Sequence, residues 1–295
     1  MGSKIEIVKL VQPLPILRQG YISCAVEAAR SCINHNVEAD QIGILVSTAI
    51  YRDHHLVEPA LSSLILGKVM QNPLLKKGSP HGQLQKVITF DLNNGACGLI
   101  QAIQLVDTYI QNGNVKRGMI ITGDSTYNKR NNNNYPFSDG AAAIILSKGV
   151  KNMGFSGFQT DSYLQFKDDF TGICQYRNRK LYLNINEKDQ FLEHAVTCVM
   201  SSMEKFLEKE KISISDIDFV FSTQNPDGLI SQIREKTNLG NKVIQLDSKI
   251  NRFHTAAPLA ALDKLIKSSQ YGLAKNILFL AVGSGITVSL ALYKQ

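Results

Sequence analysis

Two stretches of equal length, HNVEADQIGILVST at residues 35–48 and EKISISDIDFVFST at 210–223, follow one plan. Each runs from a polar turn through an aspartate and an isoleucine into an apolar strand that closes on Ser-Thr. Each is preceded by a helical pattern, CAVEAARSCI or HAVTCVMSSMEKFLEKE, and followed by another, EPALSSLILGKVM or GLISQIREKTNL. The parallel continues. KVITFDLNN (86–94) answers to KVIQLDSKIN (242–251), each leading through small residues into a helix, and RGMIITGDS (117–125) answers to KNILFLAVGSG (275–285). AAAIILSKG (141–149) and ITVSLALYK (286–294) close the two series. A chain that repeats one α/β unit folds as two similar halves, here 1–149 and 150–295.

Runs such as IGILV, GMIIT and NILFLAV are apolar throughout, as strands covered on both faces are, and helices lie between them. Two such halves stack as layered α/β sheets. A pseudo-twofold arrangement sets the turn carrying Cys97 opposite its counterpart around Asn251 to His254, at strand ends and helix starts where such folds place their chemistry. The Asn-rich loop KRNNNNYPF (129–137) reads as mobile surface. No apolar run is long enough to cross a bilayer and the first residues carry no secretory pattern, so a cytoplasmic chain without a membrane is expected. The net charge of +7 comes from dispersed Lys and Arg, which argues against the clustered phosphate contacts of nucleic-acid binding and reads first as a soluble surface with spare lysines, though it also suits an acidic protein partner. Five scattered cysteines without a CxxC pair exclude a disulfide framework and a zinc site, and neither a metal nor another cofactor is expected.

Cys97 stands in FDLNNGACGLIQAIQLVDTYI, where a strand passes through small residues into an amphipathic helix. A thiol at a helix N-terminus is drawn toward thiolate by the dipole, which makes it a nucleophile. The same turn equally needs small residues for close packing, and cysteine is also a small hydrophobe. Both readings stand on position alone. Cys24, Cys32 and Cys198 fall in helical patterns beside apolar residues and read as core, and Cys174 lies in an irregular segment. A thiolate that takes an acyl group needs donors for the oxyanion and a histidine to move protons. The glycine-rich turn Gly283, Ser284, Gly285 supplies backbone N–H groups, or simply reverses a strand; Asn251 and His254 stand just before a helix in NRFHTAAP. His54 and His55 read as loop residues, His35 and His81 as solvated, and His194 as surface on a helix.

These motifs together resemble the thiolase superfamily, and within it the β-ketoacyl-acyl carrier protein synthase III family. The resemblance is carried by FDLNNGACGLIQAIQLVDTYIQNG, by ITGDS followed by FSDGAAAIIL, by KVIQLDSKIN followed by TAAPLAALDKLI, and by FLAVGSGITVSLALYK, in order over most of the chain. It implies a five-layer αβαβα fold, a dimer, and a Cys, His, Asn chemistry with a backbone oxyanion hole. Asn251 matches the family asparagine and Gly283 to Gly285 the oxyanion turn. Three departures stand out. Cys97 is followed directly by Gly98, which puts Ala96 on the nucleophile position. Where the family has a His-Gln-Ala-Asn motif, this chain has STQNPDGL, with Thr223 or Gln224 at the histidine and Asn225 next to it, leaving His254 as substitute base. There is no tryptophan to hold a coenzyme A adenine, which favours an acyl carrier protein over coenzyme A as donor. The resemblance thus implies an acyltransferase or condensing enzyme of specialised polyketide or fatty-acid-type metabolism, acting through acyl-Cys97. Its alternative is a catalytically silent subunit that pairs with an active ketosynthase; homodimer and heterodimer both stay open.

Overall fold

The computed structural model describes residues 2–13, 20–33, 41–52, 56–71, 86–126, 135–150, 152–177, 180–247, 252–268 and 270–295. The first half contributes β1 (Ser3–Val11), α1 (Tyr21–Ile33), β2 (Ile42–Ser47), α2 (Leu61–Met70), β3 (Ile88–Asp91), α3 (Gly98–Gln111), β4 (Arg117–Asp124) and β5 (Gly140–Lys148). The second contributes β6 (Gly154–Ser162), β7 (Phe170–Arg177), β8 (Lys180–Glu187), α4 (Phe191–Glu210), β9 (Phe219–Ser222), α5 (Leu229–Thr237), α6 (Ala257–Ile266), β10 (Asn276–Gly283) and β11 (Thr287–Lys294).

One sheet runs β1-β5-β4-β2-β3 and a second runs β6-β11-β10-β9, so the two halves use the same strand order. In both, the strand that ends in Ser-Thr pairs in parallel with its neighbour, β2 with β4 and β9 with β10. The following hairpin pairs, β4 with β5 and β10 with β11, are antiparallel. Alternation along the strands splits their side chains between two faces. Met119 and Ile121 of β4 pack under α1 and α2, while Ile120 faces inward against α3 and α6. Leu278, Leu280 and Val282 of β10 face α4 and α5, while Ile277, Phe279 and Ala281 face inward. The layers are therefore α1 and α2, first sheet, α3 and α6, second sheet, α4 and α5.

The central helices suit a layer enclosed by two sheets. Along α3, Leu99, Ile100, Ile103, Val106 and Ile110 recur at helical spacing and are all buried. Each such side chain contributes about 1.5–3 kcal/mol on leaving water. In α6, APLAALDKLI, eight of ten residues are buried and four are alanine or proline, which lets the sheets close around it.

Several elements differ from expectation. Residues 242–247 form no strand: only Val243 bridges to Val220, and the Gln224 side chain takes over, donating to the Ile244 carbonyl at 3.4 Å and accepting from Leu246 N–H at 3.1 Å. The segment holding Cys174 is not irregular, because β7 and β8 form a separate antiparallel two-stranded sheet, with no counterpart among the described residues of the first half. His194 is not a plain surface residue. Its Nδ1 sits 2.6 Å from Asp169 Oδ2 and its ring stacks on Phe166. Tyr135 and Phe137, at the end of the Asn-rich loop, pack inside; the rest of that loop from 127 to 134 lies outside the described residues, as do His35, His54, His55 and His81.

Candidate active site

The two small-residue turns meet where the central layer opens. Gly95 takes a positive φ of 50°, and a Cβ placed there would stand 3.6 Å from Ser284 Oγ. A Cβ on Gly283 would stand 3.3 Å from Cys97 Sγ. Glycine at both positions lets the turn before α3 rest on the β10–β11 reversal, where Gly285 also needs a positive φ of 99°. Gly283, Ser284 and Gly285 thus both reverse the strands and lie against the Cys97 turn.

Cys97 itself is fully enclosed. Its thiol points between β10 and β11 and donates to the Thr287 carbonyl at 3.2 Å and the Ala281 carbonyl at 3.5 Å. Burial pushes the thiol up to about 11, against the hydrogen bonds that favour thiolate. The expected lowering by the helix dipole is thus reversed, because desolvation of an anion outweighs it. Ala96, at the position of the resemblance's nucleophile, is also fully buried.

His254 is gathered by different elements. It precedes α6, is 8% exposed, stacks on Phe137 with ring centres 4.3 Å apart, and leans on Tyr51 at 5.5 Å. Its Nδ1 is buried without a hydrogen-bond partner among the described residues. Burial lowers its pKa from 6.5, opposed by the attraction of Asp124, so the ring is neutral at pH 7. No hydrogen bond joins Cys97 to His254: the thiol is spent on β10 and β11, the imidazole faces aromatic rings brought from the first half. Asn251 lies outside the described residues.

The remaining sequence candidates are engaged in structure. Thr223 Oγ1 accepts from Val282 N–H at 3.0 Å and is buried. Gln224 is held by the backbone of Ser222, Ile244 and Leu246. Asn225 Oδ1 accepts from Arg252 Nη2 at 3.4 Å, and Arg252 also pairs with Asp227 at 3.1 Å.

Asp124 was not singled out from the sequence, yet it organises the site. From the end of β4, its Oδ1 accepts from the N–H groups of Ile50 and Tyr51 at 3.0 and 2.8 Å. Its Oδ2 accepts from Thr255 N–H at 3.0 Å and Thr255 Oγ1 at 2.6 Å. One buried carboxylate therefore fixes both Tyr51 and the residue after His254. The available signal was an aspartate closing the apolar run RGMIITGD, where an unpaired charge is not tolerated.

Known proteins share this architecture. A family model described as 3-oxoacyl-[acyl-carrier-protein (ACP)] synthase III matches residues 90–163. A β-ketoacyl-[acyl-carrier-protein] synthase III from Clostridium perfringens is 26% identical, with 92% of this chain and 83% of that protein aligned. One from Rickettsia typhi is 25% identical over 72% of this chain and 70% of its own length. Among solved structures, a 3-oxoacyl-[acyl-carrier-protein] synthase III from Aquifex aeolicus superposes with a TM-score of 0.81 at 17% identity, covering 100% of both chains. OleA from Xanthomonas campestris, solved with bound lauric acid and lauroyl-CoA, gives 0.77 at 17% identity, over 96% of this chain and 85% of that one. The fold is that of the thiolases. Within it, the chain is synthase III-like, similar along nearly its whole length to proteins named as β-ketoacyl- or 3-oxoacyl-[acyl-carrier-protein] synthase III. No described helix is long and apolar enough to cross a membrane.

Proposed function

We propose that this protein acts on acyl thioesters as a synthase III-like acyltransferase or condensing enzyme, with His254 as base and without storing the acyl group on Cys97. The state of His254 carries this reading: a neutral buried imidazole whose Nδ1 has no hydrogen-bond partner among the described residues, positioned through Asp124 and Thr255. Such a ring takes a proton from an acceptor hydroxyl, amine or activated carbon as the acceptor attacks the thioester carbonyl. Collapse of the tetrahedral adduct breaks the carbon–sulfur bond, and the leaving thiolate takes the proton back. Backbone N–H groups of Gly283 to Gly285 are the candidates for holding the oxyanion, and Asn251 for assisting it. The donor is an acyl carrier protein or acyl-coenzyme A, in specialised polyketide or fatty-acid-type metabolism, and the protein works as a dimer.

The reading is tested by release of free thiol from butyryl-coenzyme A and a butyryl carrier protein in the presence of acceptor. His254→Asn is expected to slow release about 10²–10⁴-fold, and Cys97→Ser to leave it unchanged. With its pKa lowered, His254 remains a base at pH values where a solvated histidine is protonated, so the acid limb of the rate falls below pH 6.5. Loss of activity in Cys97→Ser would overturn the proposal. A second reading, a silent subunit beside an active ketosynthase, is favoured by one observation: the turn before α3 presents buried Ala96 and an enclosed thiol. Thiol release that needs a second, cysteine-bearing chain and is indifferent to His254→Asn selects that reading.

A further inference from the structure

A cavity of about 300 Å³ opens beside the His254 turn, with Asp227, Gly228 and Arg252 in its lining. Arg252, two residues from His254, is its cationic wall. The guanidinium is incompletely used. Nη2 is divided between Asp227 Oδ1 at 3.1 Å and Asn225 Oδ1 at 3.4 Å, while Nε is buried with no hydrogen-bond partner among the described residues. A buried N–H left without an acceptor costs free energy that a bound acceptor recovers. Its counter-ion is poorly placed to compete, since the Asp227 side chain is 70% exposed and screened by solvent. Glu187, at the end of β8, is another carboxylate whose charge interacts with Arg252, and Asp227 repels it. Gly228, with a φ of 89°, starts α5 on the same wall, so the positive end of that helix faces the cavity together with the guanidinium.

We propose that Arg252 is a specificity-determining residue: it receives a carboxylate at the far end of the donor's acyl group, with the thioester at His254. This rests on the acyl-thioester reading above. The carboxylate displaces Asp227 into water and takes the fork of Nε and Nη2, a geometry for which guanidinium is suited and ammonium is not.

The probes are succinyl- and butyryl-N-acetylcysteamine, equal in chain length, different in the terminal carboxylate, and free of phosphate. Wild-type protein is expected to bind and turn over the succinyl thioester at least about tenfold better, the low end for hydrogen bonds to a charged group. Arg252→Gln removes the preference while butyryl turnover continues. Asp227→Asn, on an exposed side chain, strengthens succinyl binding, and it keeps the proposal testable should Arg252→Gln not fold. Equal handling of the two thioesters by wild-type protein, or a preference that survives Arg252→Gln, overturns the assignment. So does an Arg252→Gln defect confined to butyryl-coenzyme A and absent with butyryl-N-acetylcysteamine, which marks a phosphate contact instead. Failure of both thioesters to react overturns the acyl-thioester reading itself; reaction without discrimination overturns only the role of Arg252.

Discussion

Cys97 illustrates how one residue's neighbours decide between two chemistries open to it. Its place at the start of α3 pulls toward thiolate, but full enclosure between β10 and β11 pushes the thiol up to about 11 and supplies carbonyl acceptors for a neutral S–H. The sequence made the turn legible and left the direction of the sulfur open, because that direction depends on the β10–β11 reversal far along the chain. Ala96 before Gly98 was the visible trace of it. Native protein treated with iodoacetamide is expected to be alkylated at exposed Cys174, with Cys97 protected until the chain unfolds; peptide mapping that finds Cys97 labelled as fast as Cys174 would contradict this. His254 shows the converse case. A histidine before a helix was readable as a base or a cap, and only the rings of Tyr51 and Phe137, from two loops of the other half, reveal it as buried and neutral. Since its folded pKa lies below 6.5, the unfolded chain binds the extra proton first as pH falls. Stability from this group is present above pH 6.5 and lost on acidification through the folded value, and His254→Asn is expected to flatten that part of the unfolding profile.

Elements were legible where they repeat. Helices α1 to α6 and the strands closing on Ser-Thr follow from periodicity, and the match between halves extended to sheet order. The β7–β8 hairpin was not legible, since it has no counterpart among the described residues of the first half. Residues 242–247 looked like a strand for the opposite reason: they match β3 in sequence, but the Gln224 amide supplies the bonds that a ladder would. Joining elements also depends on Asp124, which binds the loop after β2 to the start of α6 through four hydrogen bonds. Asp124→Asn turns one oxygen into a donor that faces N–H groups, so it is expected to cost about 2–3 kcal/mol of stability. Urea unfolding measures this, and an unchanged midpoint would remove Asp124 from its role in fixing Tyr51 and His254.

At the scale of the molecule, five layers rest the turn before α3 on the β10–β11 reversal and set His254 against rings from the first half. Enough of this was written in the sequence to expect two stacked α/β halves, because duplication and apolar patterning are global properties; the thiolase fold came from the resemblance that motifs such as FDLNNGACGLIQ and FLAVGSGITVSLALYK carry. The chemistry was less legible, because it turns on a one-residue offset at Ala96 and Cys97 and on side chains from both halves. The central claim is that acyl thioesters react at His254 without passing through Cys97. Intact-mass spectrometry during turnover of butyryl-coenzyme A and a butyryl carrier protein tests it most directly. The expected result is unmodified protein while free thiol accumulates, with accumulation abolished in His254→Asn. A butyryl adduct that maps to Cys97 and disappears in Cys97→Ala would contradict it.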